Sequence, residues 1–175
     1  MGLFTKKTNA PESMPEMVET KQISKKTAFI EKLKREAHFR IHVRTKGDNR
    51  RTDLESYILK TFLSEGFEVS VQSVLNQEDD KLLLQDPEKF FPQYAKNKNG
   101  YIIVGLEGRQ SNETNSGFRV TADFRVISAE AKLVAAGCRS FYSHVTHLHE
   151  ELERMGVNIR EDILSLMLVQ ASEDK

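Results

Sequence analysis

A period of two runs through the middle of the chain. Phe118, Val120, Ala122, Phe124 and Val126 alternate with Arg119, Thr121, Asp123 and Arg125, the pattern of a strand with one buried and one wet face. Upstream, residues 101–106 form a continuous apolar run, as expected for a strand covered on both faces. Residues 133–142 follow after a short turn and make a third strand. Nearer the start, Phe39, Ile41 and Val43 alternate with Arg40, His42 and Arg44, which predicts a strand over 38–44. Phe67, Val69 and Val71 predict another over 67–74.

Helical spacing fills the gaps. Ser24 is placed to cap a helix reaching about Ala37, with Phe29, Ile30 and Leu33 on one stripe. Thr52-Asp53-Leu54-Glu55 is a capping box, Leu54, Ile58, Leu59 and Phe62 make the stripe behind it, and Gly66 ends that helix. Residues 76–98 read as irregular, with a short helix around 87–95 that buries Phe90, Phe91 and Tyr94. Residues 108–117 are polar and read as a flexible linker. Two helices close the chain, one striped by Val145, Leu148, Leu152 and Met155 and ended by Gly156. The other is striped by Ile159, Ile163, Leu164, Met167, Leu168 and Ala171.

This order predicts an α/β (α+β) fold. Its mixed five-stranded sheet contains one parallel β-α-β unit over 38–74, an antiparallel three-strand meander, and helices mainly on one face. Residues 1–22 read as a disordered tail and 23–172 as a single domain.

Composition narrows the class. The 175 residues are 38% hydrophobic and 30% charged, within the range of soluble globular chains and toward its polar end. No apolar run approaches the roughly 18 residues that span a bilayer. The first residues hold neither an apolar signal core nor the myristoylation pattern. Cys138 is the single cysteine, so no internal disulfide forms. A cytoplasmic location, or incorporation into a large assembly from the cytoplasm, is the expectation from these features. Asn112-Glu113-Thr114 matches a glycosylation sequon and reads as an ordinary loop triplet.

Formal net charge is zero but unevenly placed. Residues 24–51 hold ten basic side chains against Glu31, Glu36 and Asp48, whereas residues 150–175 hold seven acids against Arg154, Arg160 and Lys175. Either the two ends carry opposite fields or folding interleaves them. Lys25, Lys26, Lys32, Lys34, Arg35, Arg50 and Arg51 are the candidates for nucleic-acid phosphates, helped by a helix N-terminus near Thr52. The basic segment has no aromatic free to stack on bases, since Phe29 and Phe39 read as core, so this stands as the alternative function.

Catalytic signals are absent. There is no phosphate-binding glycine loop and no nucleophile elbow, and Asp79-Asp80 and Glu150-Glu151 are sequence neighbours poorly placed for joint acid–base work. No catalytic residue and no cofactor is expected. His144 and His147, with His149 beyond them, are the best metal candidates, since positions i and i+3 share a helix face. The competing reading puts them on a solvated face, and it is preferred. Cys138 lies in line with Val134 and Ala136 and is expected to be a packed core thiol.

Three stretches resemble a known superfamily: LESYILKTFLSEGFEVSV at 54–71, GYIIVGLEG at 100–108 and VTADFRVISAEAKLVAAGCRS at 120–140. They are similar to the small α/β domain shared by the N-terminal part of TolB, the curli-secretion lipoproteins and the lipoprotein activators of penicillin-binding proteins. The likeness covers roughly residues 38–170. It implies a non-enzymatic subunit of an envelope or secretion assembly, and phage tail-completion proteins offer a comparable analogy. Those domains usually hold a glycine in the hairpin turn where this chain reads Ser128-Ala129-Glu130-Ala131. The wet sheet face is the expected contact surface for a protein partner or a second copy, with Arg40, Arg44, Arg119, Asp123 and Arg125 as its interface residues.

Overall fold

The computed structural model describes residues 15–44, 54–74, 77–104, 108–112 and 117–173. Helix α1 (Pro15–Glu36) leads directly into β1 (Ala37–Arg44), and helix α2 (Leu54–Ser64) into β2 (Val69–Val74). Helix α3 (Gln77–Gln85) and two 3-10 turns, Pro87–Phe90 and Gln93–Ala95, precede β3 (Asn99–Val104). β4 (Gly108–Asn112), β5 (Gly117–Ser128) and β6 (Leu133–His144) complete the sheet, and α4 (Leu148–Glu173) ends the chain.

β1 pairs in parallel with β2 on one side and β3 on the other; β5 runs antiparallel to β3, and β6 antiparallel to β5. This is the mixed sheet that the alternating stretches predict. On β1, Ala37, Phe39 and Ile41 are fully buried toward α1, α2 and α4. Phe39 packs within 5.5 Å, centroid to centroid, of Phe62, Phe67 and Tyr101. Val120, Ala122, Phe124 and Val126 of β5 extend the same core to Leu152, Ile159, Ile163 and Met167 of α4.

Four expectations change. The linker at 108–117 contains β4, which pairs with β5 from Gly108↔Ala122 to Asn112↔Phe118, one residue out of step with the β3–β5 ladder. Residues 77–85, read as irregular, form α3. Helix α1 begins at Pro15 rather than Ser24, while residues 1–14 lie outside the described set. The two closing helices are one. Gly156 does not end a helix but lies within α4, where an added Cβ would stand 3.2 Å from the Tyr57 Cβ; the glycine lets α2 and α4 approach.

Gly66 does end α2, at a φ of 85°. Its amide donates to the Leu63 carbonyl at 3.0 Å, and Phe67 N–H donates to the Phe62 carbonyl at 3.1 Å. Arg160, only 7% exposed, reaches from α4 to the same end of α2, donating to the Thr61 carbonyl at 3.0 Å. Cationic groups are favoured there, where the last carbonyls lack helical partners.

Candidate functional site

The second face of the sheet divides into two halves. Strand pairing places His38, Arg40 and His42 of β1 on this face, together with Glu68, Ser70 and Gln72 from the β2 side, Ile102 of β3 and Arg125 of β5. Over β1 and β3 the face is roofed: Leu83 of α3 and Phe90 pack on Ile102, with Phe91 and Val104 beside them. His38 and His42 are buried, and Arg40 is half-buried, its Nη2 donating to the Gln72 side-chain oxygen. Burial lowers the Arg40 pKa from its ordinary value, while nearby Tyr94 acts in the opposite sense.

His38 is 0% exposed and has partners for both ring nitrogens. Its Nδ1 lies 2.9 Å from a Glu68 carboxylate oxygen and its Nε2 lies 2.8 Å from the Ser70 hydroxyl. A carboxylate only accepts, so Nδ1–H donates to Glu68, and in the neutral tautomer this selects, Nε2 accepts from the Ser70 hydroxyl. Lys98 pairs with the other Glu68 oxygen, and the Lys98 and His38 hydrogen bonds hold that carboxyl below the usual carboxylate range. The rings of Phe91 and Tyr94 stand roughly perpendicular to the imidazole, with centroids 6.0 and 5.7 Å from its own. The order hydroxyl, imidazole, carboxylate also occurs in hydrolases. Here it satisfies every polar atom of an imidazole sealed beneath the roof.

Over β5 and β6 the same face is open. Arg119, Asp123 and Arg125 are exposed on β5, and their cross-strand neighbours on β6 are Tyr142, Cys138 and Ala136, exposed as well. Tyr142 is 55% exposed. Thr121 and Ser140 stand opposite one another between them. Cys138 is therefore not the packed core thiol its neighbours in sequence suggested; it is exposed, and Val134 packs with the core while Cys138 turns away from it. A hydrogen bond with Asp123, with burial second, raises the thiol pKa from its ordinary value. Three of the five expected interface residues thus share one open surface. Arg40 lies under the roof, and the side chain of Arg44, paired with Val74 in the backbone ladder, is outside the described set.

The other candidates are dispersed. His144 bonds Thr146 through Nδ1, His147 faces Glu150 at 3.7 Å, and His149 bonds the Tyr57 hydroxyl. No group of three metal-ligating side chains occurs among the described residues. In the basic helix, Lys26 pairs with Glu161 of α4 at 2.9 Å, Lys34 with Glu31 at 2.9 Å, and Lys32 and Arg35 lie within 4.0 Å of Glu36. Lys25 is exposed, and Arg50 and Arg51 lie outside the described residues. No helix among the described residues is long and apolar enough to cross a membrane.

No protein-family model matches the chain, and no curated protein matches it. A solved structure titled a minor lipoprotein from Acinetobacter baumannii is similar to it at 12% identity and a TM-score of 0.38, covering 73% of this chain and 92% of that one. It does not show the superfamily that the three stretches resemble. The cytoplasmic location expected from the sequence is withdrawn. The expectation had rested on the first residues and a single cysteine, and neither fixes a compartment.

Proposed function

We propose that this protein is a non-enzymatic subunit of a multi-protein assembly, of the envelope or secretion kind that the resemblance of residues 38–170 implies, and that it engages a protein partner through the open half of its sheet. One observation carries the reading. The same sheet face is roofed by α3 and the 3-10 turns over β1 and β3, yet over β5 and β6 it leaves Arg119, Asp123, Arg125 and Tyr142 exposed together. Arginine and tyrosine are among the side chains enriched at the energetic centres of protein interfaces. A nucleic-acid reading has no comparable support, because Lys26, Lys32, Lys34 and Arg35 each have an acidic neighbour.

The test compares stability with assembly. Arg119→Ala and Arg125→Ala remove solvated charges and are expected to change unfolding free energy by no more than about 0.5 kcal/mol. Loss of an arginine paired across an interface costs about 2 kcal/mol or more of binding. Both variants should therefore melt like the parent while losing partner or self-association. Normal association by both would overturn the reading.

A further inference from the structure

β6 ends the sheet. Its inner edge pairs with β5 along its length, and no strand among the described residues pairs with its outer edge. Twelve residues make an edge about 40 Å long, against six residues in β2 at the opposite end. Natural proteins blunt such edges with lysine, proline, bulges or a covering element. The sequence LVAAGCRSFYSH contains no lysine and no proline. Its one arginine, Arg139, is drawn to the helix side, where Nε and Nη2 donate to the Asp162 carboxylate at 2.5 and 2.6 Å. The register irregularity, between Val126 and Ile127 of β5, touches only the first residues of β6, so 135–144 is regular.

We propose that β6 pairs antiparallel with β6 of a second copy of this chain, joining the two sheets into one. This rests on the open sheet half being a docking surface, since the two open faces would lie side by side and continue one another. A two-fold axis perpendicular to the sheet requires one residue to oppose its own copy. Centring on Arg139 sets two guanidinium groups opposite each other, which is destabilising. Centring on Gly137 leaves the central pair without side chains. Centring on Cys138 opposes two small uncharged groups, gives each Arg139 a Gly137 as neighbour, and sets Ala136 opposite Ser140. The second copy is the partner that fits, because this register is complementary to itself.

Size-exclusion chromatography with light scattering on the full chain, at micromolar concentration, should give twice the chain mass. A short bismaleimide should join the two copies through Cys138, because cross-strand Cα atoms stand only about 4.5–5.5 Å apart. Cys138→Ala should abolish that link and leave the dimer intact. Ala136→Lys combined with Ser140→Lys sets like charges opposite and should raise the dimer dissociation constant by about tenfold or more, with an unchanged melting temperature. Ala136→Glu combined with Ser140→Lys sets opposite charges and should restore association. A chain that stays monomeric overturns the proposal, as does a dimer that neither links at Cys138 nor responds to the double variants. The docking-face reading fails separately, through Arg119→Ala and Arg125→Ala, so the two failures are distinguishable.

Discussion

Ala131 adopts a φ of 60° in the turn between β5 and β6, a conformation in which a Cβ is strained. The turn is held by the Ala131 amide donating to the Ser128 carbonyl at 3.0 Å and the Ser128 amide donating to the Lys132 carbonyl at 2.8 Å. Ala131→Gly should relieve the strain and stabilise the fold by about 1 kcal/mol, raising the melting temperature by a few degrees; a fall would contradict it. The sequence marked this position, since the turn reads Ser128-Ala129-Glu130-Ala131 with no glycine. His38 was not marked. Alternation with Phe39 and Ile41 placed it correctly on the second face, but nothing local showed that face to be roofed. The roof comes from α3, whose apolar residues Leu82, Leu83 and Leu84 are consecutive, so they carry no helical period beside the acidic start at 78–80. The buried network sets a pH dependence. Glu68 has a depressed folded pKa, so its stabilisation is present above its unfolded value and is lost as pH falls through the folded one. Urea midpoints should fall as pH drops from about 5 to below about 4. Glu68→Gln should lower the neutral-pH midpoint and flatten that fall, and parallel curves would show that the network contributes nothing.

Between elements, the α2–α4 contact decides how the helical layer sits. Gly156 allows close approach and Arg160 binds the end of α2. The sequence reading split α4 at Gly156 because a glycine after an apolar stripe also marks a helix end; only the neighbouring helix distinguishes the two uses. Arg160 was counted merely among the charges of the last segment, since a partner 99 residues away leaves no local trace. Arg160→Met keeps the stem but removes the hydrogen bonds, and should destabilise by about 2 kcal/mol in chemical unfolding. No change would mean that water replaces the guanidinium at no cost. The Ser70–His38–Glu68 chain lies at the junction of β1 and β2 and tests the non-enzymatic reading. A fluorophosphonate probe should leave Ser70 unmodified. Stoichiometric labelling lost on His38→Ala, with Ser70→Ala folded as a control, would instead assign a hydrolytic nucleophile.

Across the whole molecule, the uneven charge of the sequence is partly resolved by pairing of α1 with α4, as in Lys26–Glu161. What remains distinctive is a sheet roofed on one half of its second face and open on the other. The wet side of β5 was legible from period two alone; which part of that face stays open was not, because it depends on where α3 settles. The most direct test places a photo-crosslinking amino acid at Thr121, amid the open half, and at Val169, 55% exposed on α4, in the organism that makes the protein. Crosslinks to a partner or second copy from position 121 and none from position 169 are the expected result. Crosslinks from 169 alone would contradict the assignment of the open sheet half as the docking surface.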